Sequence, residues 1–381
     1  MNPLEELIAK RVGRFGPLPF DQVMDLALYH PELGFYATGG RPGRREGDFI
    51  TSPEVGPLFG AVVAGALDRW WEEMGRPDPY VVVEAGAGTG MLARTVLLAE
   101  PACAKALRYV LVDRSAALRV EHGRALDLTP PPFGLGPSVL DADGLERPAR
   151  VGVGPVVVSL GELPSLDRPV VVIANELLDN LAFRVLERTE RRWQEVRVGI
   201  DADEVRLTEV LVPAEDDQVQ LIAALAPGAP PGARVPVQDE AGRWLRRALH
   251  LAAPGGRVVA IDYAARTAEL AARPVGDWLR TYVGQGRGGD PIERLGQQDI
   301  TADVCIDQLA RVRAPAVETS QADWLRSHGI DALVEDGRRV WTERAAVADL
   351  EALRARSRIS ESEALLDPTG LGAFTVLEWT A

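Results

Sequence analysis

The stretch VVVEAGAGTG, residues 81–90, joins a run of β-branched residues to a turn in which every second residue is glycine. Such a run is typical of a buried strand, and the apolar spacing from residue 91 onward indicates a helix. Glycines between a strand and a helix let backbone N–H groups approach a bound ligand. The stretch therefore predicts an α/β fold with a ligand-binding turn at residues 86–90.

The spacing of Gly86, Gly88 and Gly90 restricts the kind of ligand. A phosphate-binding P-loop needs Gly-Lys followed by Ser or Thr, and no lysine follows Gly90. A dinucleotide fingerprint needs GxGxxG, so the GxGxG of this chain is one residue short. The turn instead resembles the first motif of class I methyltransferases, which use S-adenosylmethionine (SAM). We therefore expect Gly86, Ala87, Gly88 and Gly90 to contact SAM.

Acidic residues end two consecutive predicted strands, at Glu84 and Asp113. SAM carries a sulfonium and an ammonium group and no phosphate, so carboxylates suit it better than they suit a pyrophosphate. An acid at the second strand end can also accept hydrogen bonds from ribose hydroxyls. We predict that both residues bind the cofactor. The alternative, that they only cap the following helices, stays open.

Apolar strands alternate with helices through much of the chain, which predicts a parallel sheet covered on both faces. We predict a Rossmann-like α/β fold of the seven-stranded class I methyltransferase type, with a helical N-terminal cap and a β insertion. The expected domains are a cap with the GDFITSPE segment over 1–78, the SAM-binding core over 79–186 and 233–381, and a β-hairpin insertion over 187–232.

Composition excludes several classes of function. The net charge of -14 disfavours nucleic acid as a partner, because such binding depends on Lys and Arg. Two cysteines and four scattered histidines have no metal-ligand spacing, so no metal is expected. No stretch is apolar enough to span a membrane, and the N-terminus lacks the features of a signal peptide. A cytoplasmic location is expected, and the oligomeric state stays open, a homodimer included.

Three further motifs resemble the MidA-like SAM-dependent methyltransferases, relatives of the mitochondrial complex I assembly arginine methyltransferase. They are GDFITSPEVGPLFG (47–60), ANELLDNL (174–181) and DITADV (299–304). The resemblance spans nearly the whole chain. It departs from the family pattern at Ala182, where proline is usual, and at residues 282–284, where a histidine is usual. It implies a protein arginine substrate, and it places Asp48, Thr51 and Ser52 at the SAM pocket, with Asp48 as a catalytic candidate.

The ANELLDNL motif supplies the other catalytic candidates. Asn175 and Glu176 follow a buried strand, at the edge where open α/β sheets bind ligands. Asp179 lies three residues after Glu176, so on a helix both carboxylates could face one spot. Paired carboxylates can hold a guanidinium by bidentate hydrogen bonds. The alternative is that Asn175 and Glu176 only cap a helix.

The sequence thus predicts a class I SAM-dependent methyltransferase, and the resemblance adds protein arginine N-methylation. Small-molecule O- or N-methylation is an alternative, and so is an assembly chaperone that keeps a SAM-binding fold. DNA amino-methylation is less favoured, because Asn175 is not followed by the expected Pro-Pro-aromatic sequence.

Overall fold

A computed structural model of the 381-residue chain describes residues 1–38, 51–136, 138–140, 146–148, 152–201, 206–284, 286–347 and 349–381. The chain divides into two compact units, each built from three segments. The seven-stranded unit comprises Ile50–Asn175, Ala248–Ile261 and Pro315–Ala381, and the second unit comprises Met1–Phe49, Glu176–Arg247 and Asp262–Ala314.

The strands of the described residues are β1 (Leu18–Pro19), β2 (Tyr80–Ala85), β3 (Leu107–Val112), β4 (Ser138–Leu140), β5 (Glu146–Pro148), β6 (Val156–Leu160), β7 (Val170–Asn175), β8 (Arg184–Arg188), β9 (Trp193–Ile200), β10 (Leu207–Pro213), β11 (Arg234–Val237), β12 (Arg257–Asp262), β13 (Ala264–Ala265), β14 (Leu279–Val283), β15 (Gly286–Arg287), β16 (Asp299–Ala302), β17 (Val304–Cys305), β18 (Val317–Ser320) and β19 (Thr375–Thr380).

The α-helices are α1 (Pro3–Phe15), α2 (Phe20–Tyr29), α3 (Ser52–Val55), α4 (Pro57–Glu73), α5 (Met91–Leu98), α6 (Ala116–Ala125), α7 (Pro131–Leu135), α8 (Asp216–Leu225), α9 (Asp239–Ala252), α10 (Thr267–Ala271), α11 (Val275–Trp278), α12 (Ile306–Ala310), α13 (Gln321–Ser327), α14 (Ile330–Arg344) and α15 (Leu350–Leu365). Within the described ranges, three short 3₁₀ helices cover Ala102–Lys105, Leu178–Asn180 and Leu371–Ala373.

The seven-stranded sheet has the order β18-β19-β12-β7-β2-β3-β6. The pairs β12–β7, β7–β2, β2–β3 and β3–β6 are parallel, whereas β18 and β19 pair antiparallel. Every residue of β2 and β3 is buried, as expected for strands covered on both faces. Because β3 and β7 flank β2 on opposite sides, the glycine turn after β2 lies at a topological switch point, where such sheets bind ligands. The predicted fold class is confirmed.

Ser52, Pro53 and Glu54 are typical of a helix start, and the sequence predicts one helix from residue 53 to about residue 74 with Ser52 as its N-cap. The structure differs from this prediction. Helix α3 ends at Val55, and α4 begins at Pro57. A proline has no N–H to continue a helix, and it disfavours helical backbone in the residue before it. Thr51, not Ser52, is the N-cap of α3, and it forms a capping box with Glu54. The sequence also predicts one helix near residues 342–357, whereas the structure has α14 end at Arg344 and α15 begin at Leu350.

The second unit contains two antiparallel sheets, and most of their strands come from the chain after β7. Strands β8, β9, β10 and β11 form an antiparallel sheet, and β1 also pairs with β9. A separate three-stranded antiparallel sheet has the order β15-β14-β16. Apolar and polar residues alternate over residues 183–212, which predicts antiparallel hairpins, and this prediction is confirmed. The predicted domain boundaries stay predictions, although the β8–β11 sheet begins before residue 187 and ends after residue 232.

Candidate active site

The turn after β2 adopts a backbone conformation that favours glycine. Gly86, Gly88 and Gly90 have φ angles of 71°, 56° and 80°, in the left-handed region that other residues rarely occupy. A Cβ added at Gly88 would meet no described atom within 4 Å. The turn therefore leaves open space beside its backbone, as a bound cofactor would require.

Asp113, after β3, is tied to this turn. Its Oδ2 accepts a 3.0 Å hydrogen bond from the Gly88 N–H, and its Oδ1 accepts one of 2.8 Å from the Ser115 N–H. Burial raises the pKa of Asp113 to about 6, although these two hydrogen bonds and the charge of Arg119 act in the opposite direction. The strand-end acid and the glycine turn thus form one hydrogen-bonded structure.

Glu84 lies at the end of β2 and is 4% exposed. Tyr109 donates a 2.7 Å hydrogen bond to its Oε2. Burial raises the pKa of Glu84 to about 8, despite hydrogen bonds from Tyr109 and the Ala93 backbone. These contacts connect β2 with β3 and with the first turn of α5. The predicted contact of Glu84 with SAM stays a prediction.

The other predicted cofactor residues have clear structural contacts. Ser52 is fully buried, and its hydroxyl donates a 3.0 Å hydrogen bond to Oε1 of Gln321. Thr51 caps α3. Asp48 lies outside the described residues. The roles of all three at the cofactor stay predictions.

The ANELLDNL segment does not form the helix on which Glu176 and Asp179 were expected to share a face. Asn175 ends β7, and Glu176 has a φ of 52°, which is uncommon for a residue with a side chain. A 3₁₀ turn, Leu178–Asn180, follows. Glu176 and Asp179 therefore do not lie on one helix, so the expected helical spacing is wrong. The residue that precedes the 3₁₀ turn is Leu177, so Glu176 does not cap it.

Carboxyl groups nevertheless cluster within the second unit. Oδ2 of Asp262 accepts hydrogen bonds of 2.9 Å and 3.3 Å from the backbone N–H groups of Leu178 and Asp179. Burial raises the pKa of Asp262 well above its ordinary value, and the charges of Asp179 and Glu176 raise it further. Asp262 therefore lies close enough to Asp179 and Glu176 to be repelled by their charges.

Asp179 has one hydrogen-bonded oxygen and one buried oxygen without a donor. The Thr301 hydroxyl donates to Oδ2, whereas nothing among the described residues donates to Oδ1. Burial raises the pKa of Asp179 to about 6, while Thr301 and the charge of Arg280 lower it. A buried carboxylate oxygen without a donor is costly unless a ligand satisfies it.

Asp299 adds a fourth carboxyl group to this cluster. The Tyr36 hydroxyl and the Asn180 amide donate hydrogen bonds to its Oδ1, of 3.1 Å and 3.2 Å. Burial raises the pKa of Asp299 to about 7, and the charge of Asp179 contributes. We call Glu176, Asp179, Asp262 and Asp299 the carboxyl cluster.

Arg280 is a cation near this cluster, but it is already paired. Its Nη1 lies 2.7 Å from Oδ1 of Asp303, and its guanidinium stacks 4.7 Å from the ring centroid of Tyr263. The cluster therefore carries an excess of carboxyl groups over this cation, which favours a cationic ligand.

Several residues of these sites were not identified as candidates from the sequence, namely Tyr36, Asp262, Asp299 and His122. Asp262 ends a buried strand, so the argument applied to Glu84 and Asp113 could have found it. Asp299 lies in the DITADV motif, where its acidic side chain was a signal. No local sequence pattern marks Tyr36 or His122, because the residues that they contact are distant in sequence.

Within the described ranges, no three His, Cys, Asp or Glu side chains converge in a way that could hold a metal ion. No helix in the same part of the chain is both long and apolar enough to cross a bilayer.

The sheet order, the glycine turn and the acid after β3 together define a class I SAM-dependent methyltransferase. Residues 62–322 match the model of a family described as S-adenosyl-L-methionine-dependent methyltransferases. The chain belongs to this family. The open space at Gly88 leaves room for a cofactor beside the turn. Gly90 is followed by Met91 and not by a phosphate-binding lysine, and Asp113 is an acid, so the site fits SAM better than a cofactor bound through its phosphates.

Known proteins resemble the chain over most of its length. It is 25% identical to the mitochondrial protein arginine methyltransferase NDUFAF7 of Danio rerio over 86% of this chain and 77% of the relative. A Drosophila melanogaster homolog is 46% identical, but over only 25% of this chain and 21% of its own length. A COG1565 superfamily methyl transferase structure from Burkholderia thailandensis, bound to S-adenosyl-homocysteine, has a TM-score of 0.80 and 26% identity, covering 99% of this chain and 92% of that one.

Proposed function

We propose that this methyltransferase modifies the arginine side chain of a protein. The observation that carries the proposal is Oδ1 of Asp179, a buried carboxylate oxygen to which no described group donates, within a cluster of four carboxyl groups. A guanidinium is planar and offers five N–H donors, so it can satisfy such an oxygen and bridge to a second carboxylate.

The raised pKa values of Asp179 and Asp299 fit this assignment. Without a cation, burial favours the protonated carboxyl groups, with pKa values of about 6 and about 7. A guanidinium among them would stabilise the ionised forms and lower both pKa values. Binding of arginine is therefore expected to release protons near neutral pH.

When bound, SAM supplies a methyl group on a sulfonium centre. In the transfer, a guanidinium nitrogen would form a bond to that methyl group as the bond from carbon to sulfur breaks. The nitrogen would then pass one proton to an ionised carboxylate of the carboxyl cluster. Arginine is protonated at neutral pH because its pKa exceeds about 12. Carboxylates on the other guanidinium nitrogens would hold the positive charge away from the attacking nitrogen and would orient it.

The relatives add support of a different kind. Vertebrate proteins that align with most of this chain are named protein arginine methyltransferases. Those names also say mitochondrial, whereas the cytoplasmic location expected for this chain stays a prediction of its sequence.

Labelling with tritiated SAM tests the proposal. Purified protein is added to a lysate from cells that lack it, and the labelled material is hydrolysed to amino acids. We expect label in a protein fraction and recovery as methylarginine. Asp179→Asn should abolish the label, and Asp216→Asn, at an exposed position on α8, should not. Label in small molecules alone would support the small-molecule alternative, and no label with normal SAM binding would support the chaperone alternative.

A further inference from the structure

A histidine outside the recognised motifs contacts the cofactor-binding turn. His122 lies in the last turn of α6 and is fully buried. Its Nε2 lies 3.0 Å from the carbonyl oxygen of Gly88, and its Nδ1 lies 2.8 Å from the hydroxyl of Ser159 on β6. The ring therefore bridges the glycine turn and a strand of the sheet.

The partners determine which ring nitrogen carries the proton in the neutral imidazole. A carbonyl oxygen can only accept, so Nε2 must donate to Gly88. Nδ1 then accepts, and the Ser159 hydroxyl donates to it. Burial lowers the pKa of His122, which keeps this neutral form at neutral pH. The Gly88 carbonyl thus selects the tautomer, and the Ser159 hydroxyl stabilises this orientation of the ring by donating to Nδ1.

The Gly88 residue is held from two sides. Its N–H donates to Asp113, and its carbonyl accepts from His122. The same ring also packs beside Gly90, where an added Cβ would lie 3.5 Å from Cδ2 of His122. Both φ angles are positive, so the turn has a backbone conformation that these contacts stabilise.

We infer that His122, oriented by Ser159, is a positioning residue that holds the Gly88 peptide in the orientation that SAM binding requires. The effect is on cofactor affinity, because a turn that samples other conformations binds only through its competent fraction. The inference rests on the cofactor and not on the identity of the methylated substrate.

Two substitutions separate the contacts of the two ring nitrogens. In His122→Gln the side-chain amide can reach the position of Nε2, and in His122→Asn it reaches only that of Nδ1. Affinity for S-adenosyl-homocysteine is measured by calorimetry, and the melting temperature is measured for each variant. We expect the affinity of His122→Gln to stay within about threefold of that of the wild type. His122→Asn should bind at least about tenfold more weakly, which corresponds to about 1.4 kcal/mol.

A third substitution covers the case in which both histidine variants fail to fold. Ser159→Ala removes the hydrogen bond that orients the ring at Nδ1, and it should weaken binding severalfold, whereas Ser165→Ala, at an exposed loop position, should not. Equal affinities of the Gln and Asn variants would overturn the inference. An affinity loss that tracks the melting temperature, or wild-type affinity in Ser159→Ala, would also overturn it.

Discussion

Tyr109 donates a 2.7 Å hydrogen bond to Oε2 of Glu84 across the pair of strands β3 and β2. In the parallel register Tyr109 is opposite Val82, two residues before Glu84, so both side chains point to the same face. The acid that ends the first strand is therefore part of the interior, and its charge depends on pH.

The free energy of unfolding should fall as the pH rises because of Glu84. Its pKa is about 8 in the fold and about 4.3 in the unfolded chain. Between these values the folded protein keeps a proton that the unfolded chain releases, so stability declines through this window. Glu84→Gln removes this decline. From pH 5 to pH 9 the wild type should therefore lose up to about 4 kcal/mol more of its free energy of unfolding than the variant does.

Urea denaturation at the two pH values measures this difference. Glu100→Gln, on the surface after α5, serves as a control and should follow the wild type. Parallel stability profiles for the wild type and Glu84→Gln would show that Glu84 does not titrate in this window.

Gly88→Arg should abolish binding of SAM and S-adenosyl-homocysteine. The substituted side chain would leave the turn into the open space at Gly88 and add a positive charge where a cationic cofactor is expected. Gly75→Arg is a matched control, since Gly75 also has a positive φ and no atom of the described residues lies within 4 Å of an added Cβ. Calorimetry should detect wild-type affinity in the control, and binding by Gly88→Arg would contradict this location of the cofactor.

Thr301→Val should impair methyl transfer and leave cofactor affinity unchanged. The substitution removes the hydroxyl that donates to Oδ2 of Asp179, so the pKa of this buried carboxyl should rise. A smaller fraction of Asp179 is then ionised to hold a cation, so we expect the rate to fall about tenfold. The lost hydrogen bond should also lower the free energy of unfolding by about 1–3 kcal/mol.

Thr301→Ser retains the donor and should restore most of the rate. Initial rates of label incorporation and calorimetry with S-adenosyl-homocysteine measure the two properties separately. If Thr301→Ser were as slow as Thr301→Val, the hydrogen bond would not be the cause.

Gly60→Ala and Gly65→Ala should have opposite effects on stability, although both lie in α4. A Cβ at Gly60 would lie 2.1 Å from Oγ1 of Thr95, which leaves no room where α4 packs on α5. We expect a loss of about 1–3 kcal/mol. At Gly65 the nearest atom is 3.9 Å away, so the better helix propensity of alanine should add about 0.5–1 kcal/mol. Denaturation midpoints give the comparison, and equal midpoints would disagree with this packing.

Local patterns were sufficient for much of the fold and for part of the site. The β-branched strands and the antiparallel hairpins follow from residues close in sequence. The breaks at Pro57 and Glu176 were missed. Proline chemistry accounts for the first, whereas the left-handed backbone of Glu176 depends on its surroundings, since its side chain does not favour it.

The sequence by itself determined the parallel sheet, the glycine turn after its first strand and the acids that end its strands. These properties reside in short segments, where backbone preferences and apolar periodicity act over a few residues. Only the tertiary structure decided which acids meet. Asp299 accepts hydrogen bonds from Tyr36 and Asn180, which lie 263 and 119 residues away in sequence. His122 contacts Ser159, which lies 37 residues away. Such contacts arise from the packing of distant segments, which no local pattern encodes.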